Sequence, residues 1–262
     1  MTGFSELMGS ACRDGEAWVV TVGDDWLQGR TIYGGLSAAL CHEAATRHFA
    51  ELPPLRSAQF AFAGPASGEL HIRPTEMRRG KSTAFIGVDL IGDAGLATRA
   101  TFCFGAARPS ALRHTAVPTL AVAPADKCKP FFDGAPPLNF MHHFEWRRAG
   151  GQWPLSRASD PTMLLWLRHR DERVRPSVSA LLALGDAPPP AAIVLFDRFA
   201  PISTMTWSVD LHTDSITTDD GWFLVRTTAD TVADGYSSQA MTIWNAAGAP
   251  VMSSRQSVAV FI

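Results

Sequence analysis

The chain has 262 residues and a net charge of -2; 46% of its residues are hydrophobic and 18% are charged. Globular chains carry about 25% charged residues, so this balance points to a large core or to apolar surface buried between copies. The length suits two units of about 130 residues, and a near-neutral chain without a long basic run excludes electrostatic capture of nucleic acid.

Met1 to Gly15 mixes polar and small residues and lacks the apolar core of a signal peptide. No run reaches the ~18 apolar residues of a membrane span. Cys12, Cys41, Cys103 and Cys128 show no Cys-x-x-Cys spacing and no histidine pair at zinc spacing. Neither a metal site nor a disulfide framework is indicated, and the chain reads as cytoplasmic with free thiols. Glu16 to Val22 reads as the first strand. A helix follows, because Ile32, Leu36, Leu40 and Ala44 recur at a four-residue spacing. Its other faces are mostly Ala, Ser and Cys, so it should be buried on most sides. Pro53-Pro54 ends it. Leu55 to Phe62, Glu69 to Met77, Ser82 to Ile91 and Leu96 to Gly105 then read as strands of an antiparallel meander. The Pro-rich stretch that follows has the composition of a linker.

The second half repeats the order. Phe140 to Arg148 and Thr162 to Arg168 are strand-like. Pro176 is expected in the first turn of a helix that carries Val178, Leu181, Leu182, Leu184 and Asp186, and Pro188-Pro189-Pro190 stops it. Thr204 to His212 alternates apolar and polar residues strictly, and Trp222 to Asp230 and a final hairpin complete the unit. Strand, helix and meander thus occur twice. This predicts an α+β double hotdog, two tandem antiparallel sheets each wrapped around a central helix and lying side by side in one surface. The units are 1–108 and 138–262, with a linker over 109–137. Superposing the turn residues Gly95 and Gly248 places Cys103 opposite Gln256, which suggests a scaffold copy and a site copy.

Asp186 sits among Leu182, Leu184 and Pro188 at a helix C-terminus, where the macrodipole disfavours an acid by a few tenths of a kcal/mol up to about 1. It is either a solvated helix-end residue or a base with a perturbed pKa. Thr204, Thr206 and Ser208 share one face of the alternating strand, either a solvent face or a hydroxyl row lining a pocket. Gln256 is either an exposed strand residue or part of the same site. A carboxylate to accept a proton, with a hydroxyl and an amide to orient water and a carbonyl, suits water activation without a cofactor. No Gly-x-Ser-x-Gly elbow, P-loop or Gly-x-Gly-x-x-Gly is present. The adjacent His142-His143 reads as surface, and the tryptophans as core and interface residues.

Several of these segments resemble the acyl-CoA thioesterase II family of double-hotdog proteins, over most of the chain. Arg30-Thr31-Ile32-Tyr33-Gly34-Gly35 resembles the family's Gly-Gly entry to the first helix. Trp166-Leu167-Arg168 resembles the strand before the second helix, and Leu181 to Asp186 the helix with the catalytic aspartate. Ile202-Ser203-Thr204 and Arg255-Gln256 resemble the strands that supply a threonine and a glutamine. The resemblance implies hydrolysis of acyl-CoA to free acid and CoA. Asp186, Thr204 and Gln256 would be catalytic, and Gly34, Gly35 and Thr206 would contact substrate. Two positions depart: Leu36 stands where the family has Gln, and Thr206-Trp207-Ser208 where it has Asp-His-Ser. The second departure implies a changed pocket. The alternatives are a non-catalytic acyl or acyl-CoA binding protein on the same fold, and a hotdog hydratase using His42-Glu43. Low charge and many tryptophans predict a homodimer or higher homo-oligomer.

Overall fold

The computed structural model describes residues 1–262. It opens with a helix that the sequence pattern did not predict, α1 (Phe4–Ser10), which buries Phe4, Leu7 and Met8. Their spacing puts them on one helix face, too short a signal to register as periodic. The first unit continues with β1 (Cys12–Asp14), β2 (Ala17–Val22), the short pair β3 (Leu27–Gln28) and β4 (Thr31–Ile32), and α2 (Gly34–His48). Its meander is β5 (Leu55–Phe62), β6 (Gly68–Arg79), β7 (Thr83–Gly92) and β8 (Gly95–Gly105). The second unit comprises β9 (Phe144–Gly151), β10 (Thr162–His169), α3 (Val178–Gly185), β11 (Ile202–Leu211), β12 (Phe223–Ala233), β13 (Tyr236–Asn245) and β14 (Pro250–Val260). Ser177, not Pro176, starts α3: its hydroxyl accepts the Ala180 N–H at 3.2 Å, and the proline lies outside the helix.

The two sheets are one. Twelve antiparallel strands run in the order β1-β2-β6-β7-β8-β5-β11-β14-β13-β12-β10-β9. Read outward from the centre, each half follows the same plan, and β5 pairs with β11 from Ala61–Thr206 to Ser57–Asp210. A single cluster of 54 buried apolar residues spans both halves, so the repeats share a core. As the small side chains of α2 predict, every residue from Gly35 to His42 is buried. The two helices pack antiparallel inside the sheet: Gly34 and Gly35 face the end of α3, while Glu43 and His42 face its start. At that start the Ser179 hydroxyl donates to Glu43 Oε2 at 2.9 Å and lies 2.9 Å from His42 Nδ1. His42 also packs against Phe102 and Phe104, a packing role at the end of α3 remote from Asp186.

The Pro-rich linker has a structural task. Trp166, Leu224 and Trp244 form a cross-strand row on the outer face of the sheet. The linker covers it: Pro118 and Ala123 carbonyls accept the indole N–H groups of Trp244 and Trp166, each at 2.9 Å. Burial on both faces explains the unbroken apolar run of β10. His143 is not a surface residue. It is 6% exposed and stacked on Trp26, with ring centroids 3.6 Å apart.

Candidate active site

The site forms where the end of α3 meets the start of α2. Asp186 caps α3, so that helix's dipole opposes its charge. The neighbouring helix reverses the sign. The carboxylate lies against the first turn of the 15-residue α2, its Oδ2 2.7 Å from where a Gly34 Cβ would sit, and the positive end of that helix favours an anion.

Both glycines are needed by close approach rather than by unusual backbone angles. A Cβ on Gly34 would lie 2.7 Å from Asp186 Oδ2 and 2.8 Å from the Phe62 ring. A Cβ on Gly35 would lie 2.6 Å from the Tyr33 ring and 2.8 Å from the Ala183 carbonyl oxygen. Tyr33 fastens the junction from below, its buried hydroxyl donating to that carbonyl at 3.1 Å. Gly35→Ala must therefore push α2 away from the α3 backbone. It is expected to lower stability by about 1–3 kcal/mol, read as a drop in the urea midpoint; an unchanged midpoint would contradict this packing.

Gln256 enters from the middle of β14, paired with Trp207 on one side and Gln239 on the other. It is 4% exposed, and its Nε2 donates to Asp186 Oδ1 at 2.5 Å. Burial raises the Asp186 pKa to about 7, against the opposing effect of the hydrogen bonds from Gln256 and the Gly35 N–H. A carboxyl group poised near neutrality can exchange protons with water.

Thr204 and Thr206 part company. A β-bulge between them shifts the register of β11 against β14. Thr204 consequently pairs with the buried Val258 and faces inward, one cross-strand row from Gln256. Thr206 pairs with Ser257 and Ala61, all three exposed, and points away from Asp186. Strict alternation had put both threonines on one face; the bulge breaks that parity. No hydrogen bond joins Thr204 to Asp186 or Gln256. Trp207 takes the inward position beside Gln256, stacks on Phe60 with centroids 5.4 Å apart, and reaches under Gly185. Leu36 is fully buried in the core.

Cys103 is not the counterpart of Gln256. It pairs with Phe85 and Ser57 and faces outward, whereas Gln256 faces inward. Its buried neighbour Phe102 occupies the inner face of β8. Each return strand carries one extra residue, Ala97 two positions after Gly95 and Val251 three after Gly248, so the turn glycines are out of step by one.

Three contributors were missed by the sequence pattern: Tyr33, Gln239, and Ala191, whose N–H donates to Gln239 Oε1. Tyr33 and Ala191 had no signal beyond their neighbours, Gly34 and the proline run. Gln239 did have one, since it shares the parity of Met241 and Ile243 and so belongs to the inner face of β13.

This architecture has relatives. Residues 22–105 match the model of the acyl-CoA thioesterase N-terminal domain, and residues 118–260 that of the C-terminal domain. The chain belongs to the acyl-CoA thioesterase family. The family fold recurs in a conserved hot dog protein of unknown function from Alicyclobacillus acidocaldarius, 25% identical. The likeness covers 100% of this chain and 99% of that one, with a TM-score of 0.89. Acyl-CoA thioesterase II TesB2 from Mycobacterium marinum is 15% identical over 97% of each chain, with a TM-score of 0.75. A tesB protein from Mycobacterium avium subs paratuberculosis is 17% identical over 98% of this chain and 99% of that one, with a TM-score of 0.77. No curated protein matches the chain significantly in sequence. As a member of this family the chain is a thioesterase-type hydrolase.

Proposed function

We propose that the chain hydrolyses acyl-CoA thioesters to the free acid and CoA, with Asp186 as general base. The observation that carries this is the Asp186 carboxylate held by Gln256 Nε2 where the end of α3 meets the first turn of α2. Gln256 occupies Oδ1, which leaves Oδ2, on the Gly34 side, to take a proton from water. The hydroxide so formed attacks the thioester carbonyl. Negative charge moves to the carbonyl oxygen, where the first-turn N–H of Gly34 supports it. Collapse breaks the C–S bond, and the departing thiolate takes the proton from Asp186. Thr204 faces the same interior and supplies a hydroxyl to orient water. Thr206, on the outer face, has no part in this scheme.

A panel of acyl-CoA esters of increasing chain length, assayed for release of free thiol, tests the proposal. Thiol release from at least one ester is expected. If none is cleaved while one raises the melting temperature, the chain is an acyl-CoA binding protein instead.

We further propose self-association. Phe199, Phe261, Ile262 and Tyr236 are each more than half exposed, and the Phe261 N–H bonds Pro201 O, which brings the C-terminus beside the turn that carries Phe199. Light scattering at micromolar concentration should give a mass at least twice the 28.3 kDa of one chain; the mass of a single chain would refute it.

A further inference from the structure

Behind Gln256 lies a second buried amide, and the two are joined in a directed chain. The Ala191 N–H donates to Gln239 Oε1 at 2.7 Å. Gln239 Nε2 donates to Gln256 Oε1, and Gln256 Nε2 donates to Asp186 Oδ1. Gln239 is 1% exposed and Gln256 4%, so water does not substitute for these partners.

We propose that Gln239 is a positioning residue for the hydrolysis: it decides which end of the Gln256 amide faces Asp186. This rests on the reading of Asp186 as the base. The Ala191 end of this row cannot reverse. A backbone N–H only donates, so it fixes the oxygen end of Gln239 toward Ala191. The NH2 end of Gln239 must then face Gln256, and that in turn fixes the oxygen of Gln256 toward Gln239. Only the NH2 end of Gln256 is left for Asp186. An amide turned the other way would present an acceptor to an acceptor and would be tolerated only by a protonated carboxyl. The relay therefore holds Asp186 in its proton-accepting form.

The local sequence supplies the anchor. Pro188-Pro189-Pro190 carry no backbone N–H, so Ala191 is the first donor after Ala187, whose own N–H is engaged by Leu184 O. A short 3-10 turn, Ala191–Leu195, then holds that N–H against β13. The proline run stops α3, leaves Asp186 at its end, and delivers one oriented donor to Gln239.

Gln239→Glu and Gln239→Met test the relay. An ionised Glu offers only acceptors, so it should draw the NH2 of Gln256 and turn its oxygen toward Asp186. Met keeps the length and cannot orient the amide at all. For Gln239→Glu the pH midpoint of kcat/KM should rise by about 1 unit or more. Turnover at pH 7 should fall about tenfold, with KM nearly unchanged. Gln239→Met should lose turnover with KM likewise unchanged. The Asp186 carboxyl, followed by 13C NMR and assigned by its absence in Asp186→Asn, should show the same shift in Gln239→Glu without reference to activity. If Gln239→Glu fails to fold, Gln239→Met alone decides through turnover and the carboxyl titration. A folded variant with the wild-type midpoint and turnover within twofold overturns the proposal. If the carboxyl midpoint moves but Asp186→Asn keeps its activity, the relay stands and the base assignment falls.

Discussion

Asp186→Asn is expected to lower thioester turnover by about 10²-fold or more, the scale of a lost general base, while making the protein more stable. The amide keeps the shape and its oxygen can still accept from Gln256 Nε2, but it has no basic oxygen. The stability half follows from the same burial. The Asp186 pKa is raised from 3.8 to about 7 in the fold. As pH climbs through that window the unfolded chain releases its proton first, so stability falls with rising pH and stays lower above 7. A shift of about 3 units corresponds to about 4 kcal/mol as an upper figure. The Asn variant escapes this and should melt higher than wild type at pH 8. A variant that stays within a few-fold of wild-type turnover would remove Asp186 from the chemistry. One that melts lower would show that the carboxylate stabilises the junction of α2 and α3.

The activity should also fall steeply in mild acid. If ionised Asp186 is the working form, kcat/KM drops about tenfold per pH unit below about 7, so it is about 10²-fold lower at pH 5 than on its plateau. The fold must be checked independently across this range, because other buried groups act with the opposite sign. Burial lowers the pKa of both His42 and His169 from 6.5 to about 4. Each removes stability as pH falls through that window, since only the unfolded chain takes up the proton. Circular dichroism at each assay pH separates loss of the base from loss of the fold. A flat profile down to pH 5 in a folded sample would be incompatible with Asp186 as the base.

The duplicated plan of this protein was legible because it rests on local periodicity. The helix face of α2, the alternation within β11 and the proline runs each reflect backbone geometry over a few residues, and repeating them in the same order implied two like units. The family resemblance rested on short segments of this kind and pointed to Asp186 and Gln256, which the fold does bring into contact. Short or singular features were missed, among them α1 and the buried His143, and so was what depended on registering one strand against another. The bulge in β11 separated Thr204 from Thr206, and a turn one residue longer before the bulge in the second hairpin than in the first put Cys103 on the wrong face to match Gln256. A bulge adds one residue and inverts parity beyond it, and no local composition announces it.

By itself the sequence determined the two main helices, the meander strands, their order and the candidate acid, because propensity and periodicity act along the chain. Only the tertiary structure decided what kind of acid Asp186 is. Alone at the end of α3 it is a carboxylate in an unfavourable dipole. With α2 packed antiparallel beside it, the same group faces a helix N-terminus and is held by an amide from β14. Those partners come from residues about 150 positions before and 70 after it. Burial raises its pKa and the partners hold its orientation; neither effect exists until the two halves close around one core.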